Sequence, residues 1–388
     1  MSTKTLTLIV ISLMIYVVST GISYVAFSKI ASVAVSVAPP NVDTKSGVTT
    51  FDDTLPKTQE CPLNGAMYSK KQRDWWEKHR PLGVMVENHQ ESRPQSGLSF
   101  ADVIYEIVAE GGITRFLAVY YCQDAGQVGP VRSARTYFLD FISEYGDFPL
   151  YAHVGGANTP GPANALGQIE DYEWEGYNDL NQFSIGYPTF WRDYDRLGRS
   201  VATEHTMYST TSRLWQFAEK NREVSAKDSE GNKWDEEFVR YAFKDDAPSQ
   251  EREASQKVDV TFWDGYDQYM VTWEYDNATN SYKRKNGGSP QTDKNTNRQL
   301  TAKNIVVLFM QENNANDGYT NNLHLLYKTK GKGKAVVFMD GKKIDGTWGK
   351  DSRTDRTVIY DRVGKKVEFN KGTLWFQVLP LEGEVDAS

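Results

Sequence analysis

The chain has 388 residues, 24% of them charged and 13% aromatic, with a net charge of −7 at pH 7 and a pI near 5.5. That length favours two domains, and the composition suits a packed globular protein. The acidic balance argues against a general nucleic-acid binder, which carries a basic excess, so no nucleic-acid partner is expected.

Thr5 to Ser28 is uncharged and mostly apolar, bracketed by Lys4 and Lys29. At about 24 residues it is long enough to cross a bilayer, whereas a cleaved signal peptide has a shorter apolar core. Ser36-Val37-Ala38 loosely resembles a cleavage site, but Pro39 follows directly, and no cysteine near the segment offers a lipid-attachment point. The expectation is a transmembrane signal anchor over residues 1–30, single-pass in the cytoplasmic membrane. The charge bias across it is weak; the short N-terminus is what places the folded domains on the extracytoplasmic side. Residues 31–77 read as a polar, Pro-containing tether followed by a short amphipathic helix around Asp74-Trp75-Trp76-Glu77. The two cysteines, Cys61 and Cys122, form an even pair in an exported chain, which favours a disulfide; two unrelated thiols are the other reading.

A first domain is expected over residues 78–222. Leu82 to Val86 reads as a strand, and Asp102 to Ala109 as a strand or a helix, the apolar run being too short to arbitrate. Gly111-Gly112 is a turn, and Phe116 to Tyr121 is a buried strand. From Ser133 the residues Tyr137, Phe138, Phe141, Ile142 and Tyr145 recur at helical spacing, with Ser133 as the expected N-cap. Phe148 to Val154 is a further strand, Ala163 to Ile169 a short helix, and Thr210 or Thr211 caps a helix through Leu214, Trp215 and Phe217. Asn221 to Asn232 is polar and reads as a linker. The second domain, residues 233–382, is smaller and strand-rich, with a hairpin pattern around Gly265 and strands at Ile305–Phe309, Ala335–Phe338, Val358–Tyr360 and Leu374–Val378. Fold class is therefore α+β or α/β: a transmembrane helix, an α/β first domain, and a β-rich second domain that is barrel-like or sandwich-like.

From Pro81 to Glu219 there is no lysine; every cation is an arginine. Arginine gives planar, bidentate recognition of phosphate and carboxylate that lysine does not reproduce. Arg132 and Arg135 flank Ser133 at the positive end of the expected helix, where a bound anion would relieve their repulsion. Arg93, Arg115, Arg132, Ser133, Arg135, Arg192 and Arg196 are the candidate ligand-binding residues, converging on one cleft, with Arg115, Arg132 and Arg135 around a single pocket. The competing reading pairs the arginines with carboxylates of the same domain. Acid–base candidates are Asp102, Glu106, His153 and His205; Asp102 and Glu106 share a face in either geometry and could instead pair with Arg115. No histidine sits in a recognised metal spacing, and there is no P-loop, dinucleotide fingerprint or zinc cysteine cluster. No metal and no cofactor are expected.

Several stretches carry a resemblance: PLGVMVENH at 81–89, RPQSGLSFADVIYE at 93–106, EGGITRFLAVY at 110–120, VGPVRSAR at 128–135, FWRD at 190–193 and HTMYST at 205–210. NIVV at 304–307, GTWGK at 346–350 and GTLWFQV at 372–378 continue it. The chain resembles the YerB-like family of bacterial envelope proteins, whose two domains carry no assigned function. Many of those relatives look like lipoproteins with a cysteine after the signal; this chain has an apolar segment there instead. The resemblance implies architecture and an envelope location, with an envelope component or envelope protein as partner, and supplies no reaction. The leading expectation is an envelope protein that binds a phosphate- or carboxylate-bearing ligand. A hydrolase or transferase acting on phosphorylated envelope polymer, and a structural adaptor without a small ligand, are the alternatives.

Overall fold

The computed structural model describes residues 49–319 and 324–388. The expected anchor, Thr5–Ser28, and the start of the tether lie outside the described residues. Among the described residues no helix is long and apolar enough to cross a membrane.

Runs of β-branched, aromatic and aliphatic residues form ten strands of one sheet: β1 (Leu82–Glu87), β2 (Val103–Glu110), β3 (Ile113–Tyr120), β4 (Leu150–His153), β5 (Asp179–Asn181), β6 (Asn304–Phe309), β7 (Gly331–Met339), β8 (Lys342–Lys350), β9 (Val358–Asp361) and β10 (Leu374–Leu379). The order across the sheet is β9-β8-β7-β6-β10-β2-β3-β1-β4-β5. Five strands thus come from residues 82–181 and five from residues 304–379, and the hydrogen-bonded ladder is continuous between them. The seam is β10, which pairs in parallel with β6 on one side and with β2 on the other, Leu374 opposite Val103 and Gln377 opposite Glu106. β1, β6 and β10 are buried along their whole length, as expected of strands covered on both faces. The stretch from Asp102 is therefore settled as strand, because it lies between β10 and β3.

One face of this sheet meets a six-stranded antiparallel sheet whose central members are Lys257–Thr261, Val271–Asp276 and Ser281–Asn286. The first two of these are the hairpin expected around Gly265. Trp273 donates its indole N–H to Gln377 Oε1 at 3.0 Å and packs edge-on against Trp375. The residues after 233 therefore do not close a barrel of their own. Five of their fifteen described strands belong to the shared sheet, where β10 joins β6 of its own half to β2 of the other.

Helices α1 (Lys70–Trp76), α2 (Thr136–Ile142), α3 (Ala165–Asp171), α4 (Gln182–Ile185) and α5 (Thr211–Arg222) are short, α5 being the longest. α2 covers the other face: Tyr105 of β2 stacks on Phe141 and on Phe376, and its hydroxyl meets that of Tyr145 at 3.0 Å. Thr210 caps α5 by accepting from the Arg213 N–H. Ser133 caps nothing. α2 starts three residues later, with Arg135 at the N-cap position and no side-chain cap bond. The reason is backbone satisfaction. The Val131, Arg132 and Ala134 N–H groups donate to Met207, Met85 and Gly155, and the Arg132 carbonyl accepts from Val154. This holds residues 129–134 as an extended strap between β1 and the end of β4.

Cys61 and Cys122 form the expected disulfide, with Cα atoms 6.0 Å apart. It ties the segment ahead of α1 to the residues just beyond β3. Asn221–Asn232, expected as a linker, runs between the halves with Val224 buried and the Ser225 carbonyl held by Arg80 Nε at 2.6 Å.

Candidate functional site: an arginine-walled cleft

The strap carries Val131, Arg132 and Ser133 along one wall of a cleft of about 440 Å³. The loop after β4, with Val154, Gly155, Gly156 and Asn158, forms the floor, and Phe183 of α4 closes one side. Gly155 has φ +57°, and a Cβ there would lie 2.9 Å from the Phe183 ring, so only glycine lets this loop approach α4. The opposite wall is Arg192, Glu204 and Met207. A three-stranded sheet of Gln127–Val128, Met207–Thr210 and Trp191–Arg192 fixes it, with Arg192 directly opposite Met207.

Of the seven candidate ligand residues, Arg132, Ser133 and Arg192 line this cleft. Arg132 places Nε 3.1 Å from Glu87 Oε1. Arg192 donates from Nη1 to the Thr203 carbonyl at 2.5 Å and to Thr206 Oγ1 at 3.3 Å. A guanidinium has five N–H donors, so both keep donors beyond these contacts. Arg115 and Arg135 do not reach the cleft. They are buried and share Glu110, and each also braces a strap carbonyl, Ser133 O at 2.8 Å for Arg115 and Ala134 O at 2.6 Å for Arg135. Arg93 turns to Asn88 and the Gln268 carbonyl and lines a separate pocket of about 360 Å³. Arg196 bonds Ser96 Oγ and Asn295 Oδ1. The expected convergence of all seven is therefore replaced by a pair of cleft arginines and Ser133. The expected pocket of Arg115, Arg132 and Arg135 reduces to Arg132.

The acid–base candidates separate in the same way. Glu106 is fully buried and pairs with Arg284 at 2.7 Å, not with Arg115. It also accepts from Thr114, Trp375 and Gln377, which leaves it closed to a substrate. Asp102 is equally buried and accepts from Asn64 Nδ2 and from the Tyr121 and Cys122 N–H groups; burial pushes its carboxyl up to about 7. His153 sits beneath the cleft floor with Nδ1 on the Gly155 carbonyl at 2.6 Å and Nε2 on Asp179 at 2.5 Å. Both ring nitrogens are engaged in holding the loop. His205 is the one placed to act beside the cleft. Its Nδ1 meets Glu87 Oε2 at 2.8 Å, and that bond raises its pKa above the ordinary imidazole value. Glu87 thereby links Arg132 to His205. Next to it lie His89, its ring stacked on that of His205 with centroids 4.7 Å apart, and Glu91. Glu87, His89, Glu91 and Glu204 were not singled out in the sequence. The available signal was the pair of short motifs ENHQE at 87–91 and EH at 204–205, polar residues directly after a strand.

A mixed α+β protein with a cleft between a strap and a small sheet has clear relatives. Residues 66–225 match the model described as "Protein of unknown function (DUF3048) N-terminal domain" and residues 258–376 its C-terminal counterpart. The chain belongs to this YerB-like family. A Bacillus subtilis (strain 168) protein whose name reads "Putative lipoprotein YerB" is 28% identical over 335 residues, covering 84% of this chain and 89% of that protein. The crystal structure of YerB protein from Bacillus subtilis matches with a TM-score of 0.66 at 25% identity, covering 85% of this chain and 100% of that one.

Proposed function

We propose that this is an extracytoplasmic protein of the cell envelope that binds a phosphate- or carboxylate-bearing envelope component between Arg132 and Arg192. The observation that carries the reading is the pair itself: two arginines on opposite walls of one open cleft, both with donors to spare. Fork-shaped donors facing each other across a gap suit a bidentate anion. The location rests on the family, on a relative whose name contains the word lipoprotein, and on a disulfide, which persists in oxidising compartments. Membrane attachment through an uncleaved, single-pass helix at Thr5–Ser28 completes the proposal. The enzymatic alternative draws on the Glu87–His205 pair, a carboxylate-oriented imidazole beside the anion position.

The test is a thermal titration with pyrophosphate and with a polyanionic polymer. A ligand of the native state raises Tm, and at 100-fold excess over Kd the stabilisation is about 2.7 kcal/mol. Arg192→Ala should abolish the shift while leaving the ligand-free Tm close to that of the wild type, because Arg192 is exposed. No shift with any anion, or an equal shift in the variant, would remove the cleft reading. Mass analysis of the recovered ligand separates binding from turnover.

A further inference from the structure

His89, Glu91 and His205 come from two turns far apart in sequence. His89 and Glu91 belong to the turn at Gln90–Ser92 directly after β1, and His205 to the turn Thr203–His205. One ligand atom from each lies within 4.8 Å of the other two. His205 Nδ1–H donates to Glu87 Oε2 at 2.8 Å, which fixes its tautomer and leaves the Nε2 lone pair outward. That lone pair faces Glu91 Oε2 at 3.4 Å. An acceptor thus faces an acceptor, and something positive belongs between them. A proton on His205 would satisfy this pair alone and give His89 no part in it. His89 has one lone pair in its neutral form, and its partner is the exposed Glu91 N–H at 3.2 Å, a bond that a stronger electrophile displaces.

We propose that His89, Glu91 and His205 bind a divalent metal ion of the zinc class, with Glu87 as the carboxylate that orients His205. Two donors each about 2.1 Å from an ion and a tetrahedral angle apart are separated by about 3.4 Å, the distance observed between Nε2 and Oε2. Two imidazoles and one carboxylate form a borderline donor set, whereas calcium and magnesium call for oxygen alone. Zinc sites with this composition keep a fourth position for water or a ligand, and the 55% exposure of the Glu91 side chain provides the way in. The Glu87–His205 bond has the carboxylate–histidine geometry that orients metal-binding imidazoles elsewhere. Arg132 and Arg93 place positive charge nearby, with Glu87, Glu91 and Glu204 set against it.

The experiment is equilibrium dialysis of the full-length, untagged chain in detergent, stripped with chelator, against buffered Zn²⁺. One equivalent per chain is expected. Glu91→Gln and His89→Ala should each weaken binding at least tenfold; the metal-free Tm of Glu91→Gln stays at the wild-type value because Glu91 is exposed, and that of His89→Ala falls slightly with the loss of its bond to the Glu91 N–H. Glu87→Gln should weaken it about 10- to 100-fold through the orienting bond. His205→Ala is informative only if it folds, so the other variants decide. Absence of stoichiometric zinc uptake overturns the proposal, as does wild-type affinity in both Glu91→Gln and His89→Ala. Displacement of zinc by equimolar Ca²⁺ also overturns it, since it would mark an oxygen-donor site.

Discussion

Arginine is the only cation from Pro81 to Glu219, and the structure gives a reason that composition alone does not. Guanidinium forks here mostly brace backbone carbonyls. Arg93 reaches those of Asn88 and Gln268, Arg199 those of Glu91 and Arg93, and Arg213 that of Pro188. A single lysine ammonium cannot span two carbonyls in a plane, so this structural use excludes lysine as firmly as ligand binding would. Arg132 and Arg192 looked no different in sequence from Arg115 and Arg135, because the acceptor of each fork is set by tertiary folding. Glu106 shows the same limit. Its partner Arg284 lies 178 positions away, enclosed by the Phe116, Trp273 and Trp375 rings. Removing one member of a buried pair strands the other charge and costs about 3–5 kcal/mol. Glu106→Ala should therefore lower unfolding stability in urea by that order. Combining it with Arg284→Met should cost less than the sum of the single changes. A loss below about 1 kcal/mol for Glu106→Ala would show that the pair is not holding the two sheets together.

At the scale of elements, β1, β3 and the start of β10 were legible because apolar runs bounded by turns leave few alternatives. The strap was not legible. Arg132-Ser133-Ala134-Arg135 leads into a helical pattern, and only the acceptors on β1, the 207–210 strand and the Gly155 loop keep it extended. The cysteine pair was readable from compartment alone, and its consequence is local to the end of β3. The bond closes a separation of 61 residues, for which the chain-entropy model gives about 4 kcal/mol. Asp102 accepts the Tyr121 and Cys122 N–H groups at the same place, so the strand end stays anchored when the bond is lost. Replacing both cysteines by serine should then lower stability by about 4 kcal/mol or somewhat less, with the fold retained. Calorimetry on the double variant checks it, and an unchanged Tm would show that the disulfide contributes nothing.

For the whole molecule, the polar stretch Asn221–Asn232 suggested two regions, and two family models match, one at 66–225 and the other at 258–376. What periodicity could not reveal is that one sheet runs through both. Parallel pairing across some 270 residues, as between Val103 and Leu374, leaves no local trace, since either strand would read the same beside any partner. The consequence concerns independence. Without β10, β2 would present the unpaired backbone groups of a long, mostly apolar strand at an open edge, the arrangement that invites aggregation. Glu106 would lose Arg284, Trp375 and Gln377 together. A chain ending in the 221–232 segment should therefore fail to fold alone: aggregated or molten by size exclusion, without a cooperative thermal transition. Co-expression with the remainder, from residue 233 onward, should restore a soluble complex, because the seam is built from pre-registered strands on both sides. A first half that is monomeric and melts cooperatively by itself would refute this, and would mean that β10 docks onto a finished domain instead of completing one.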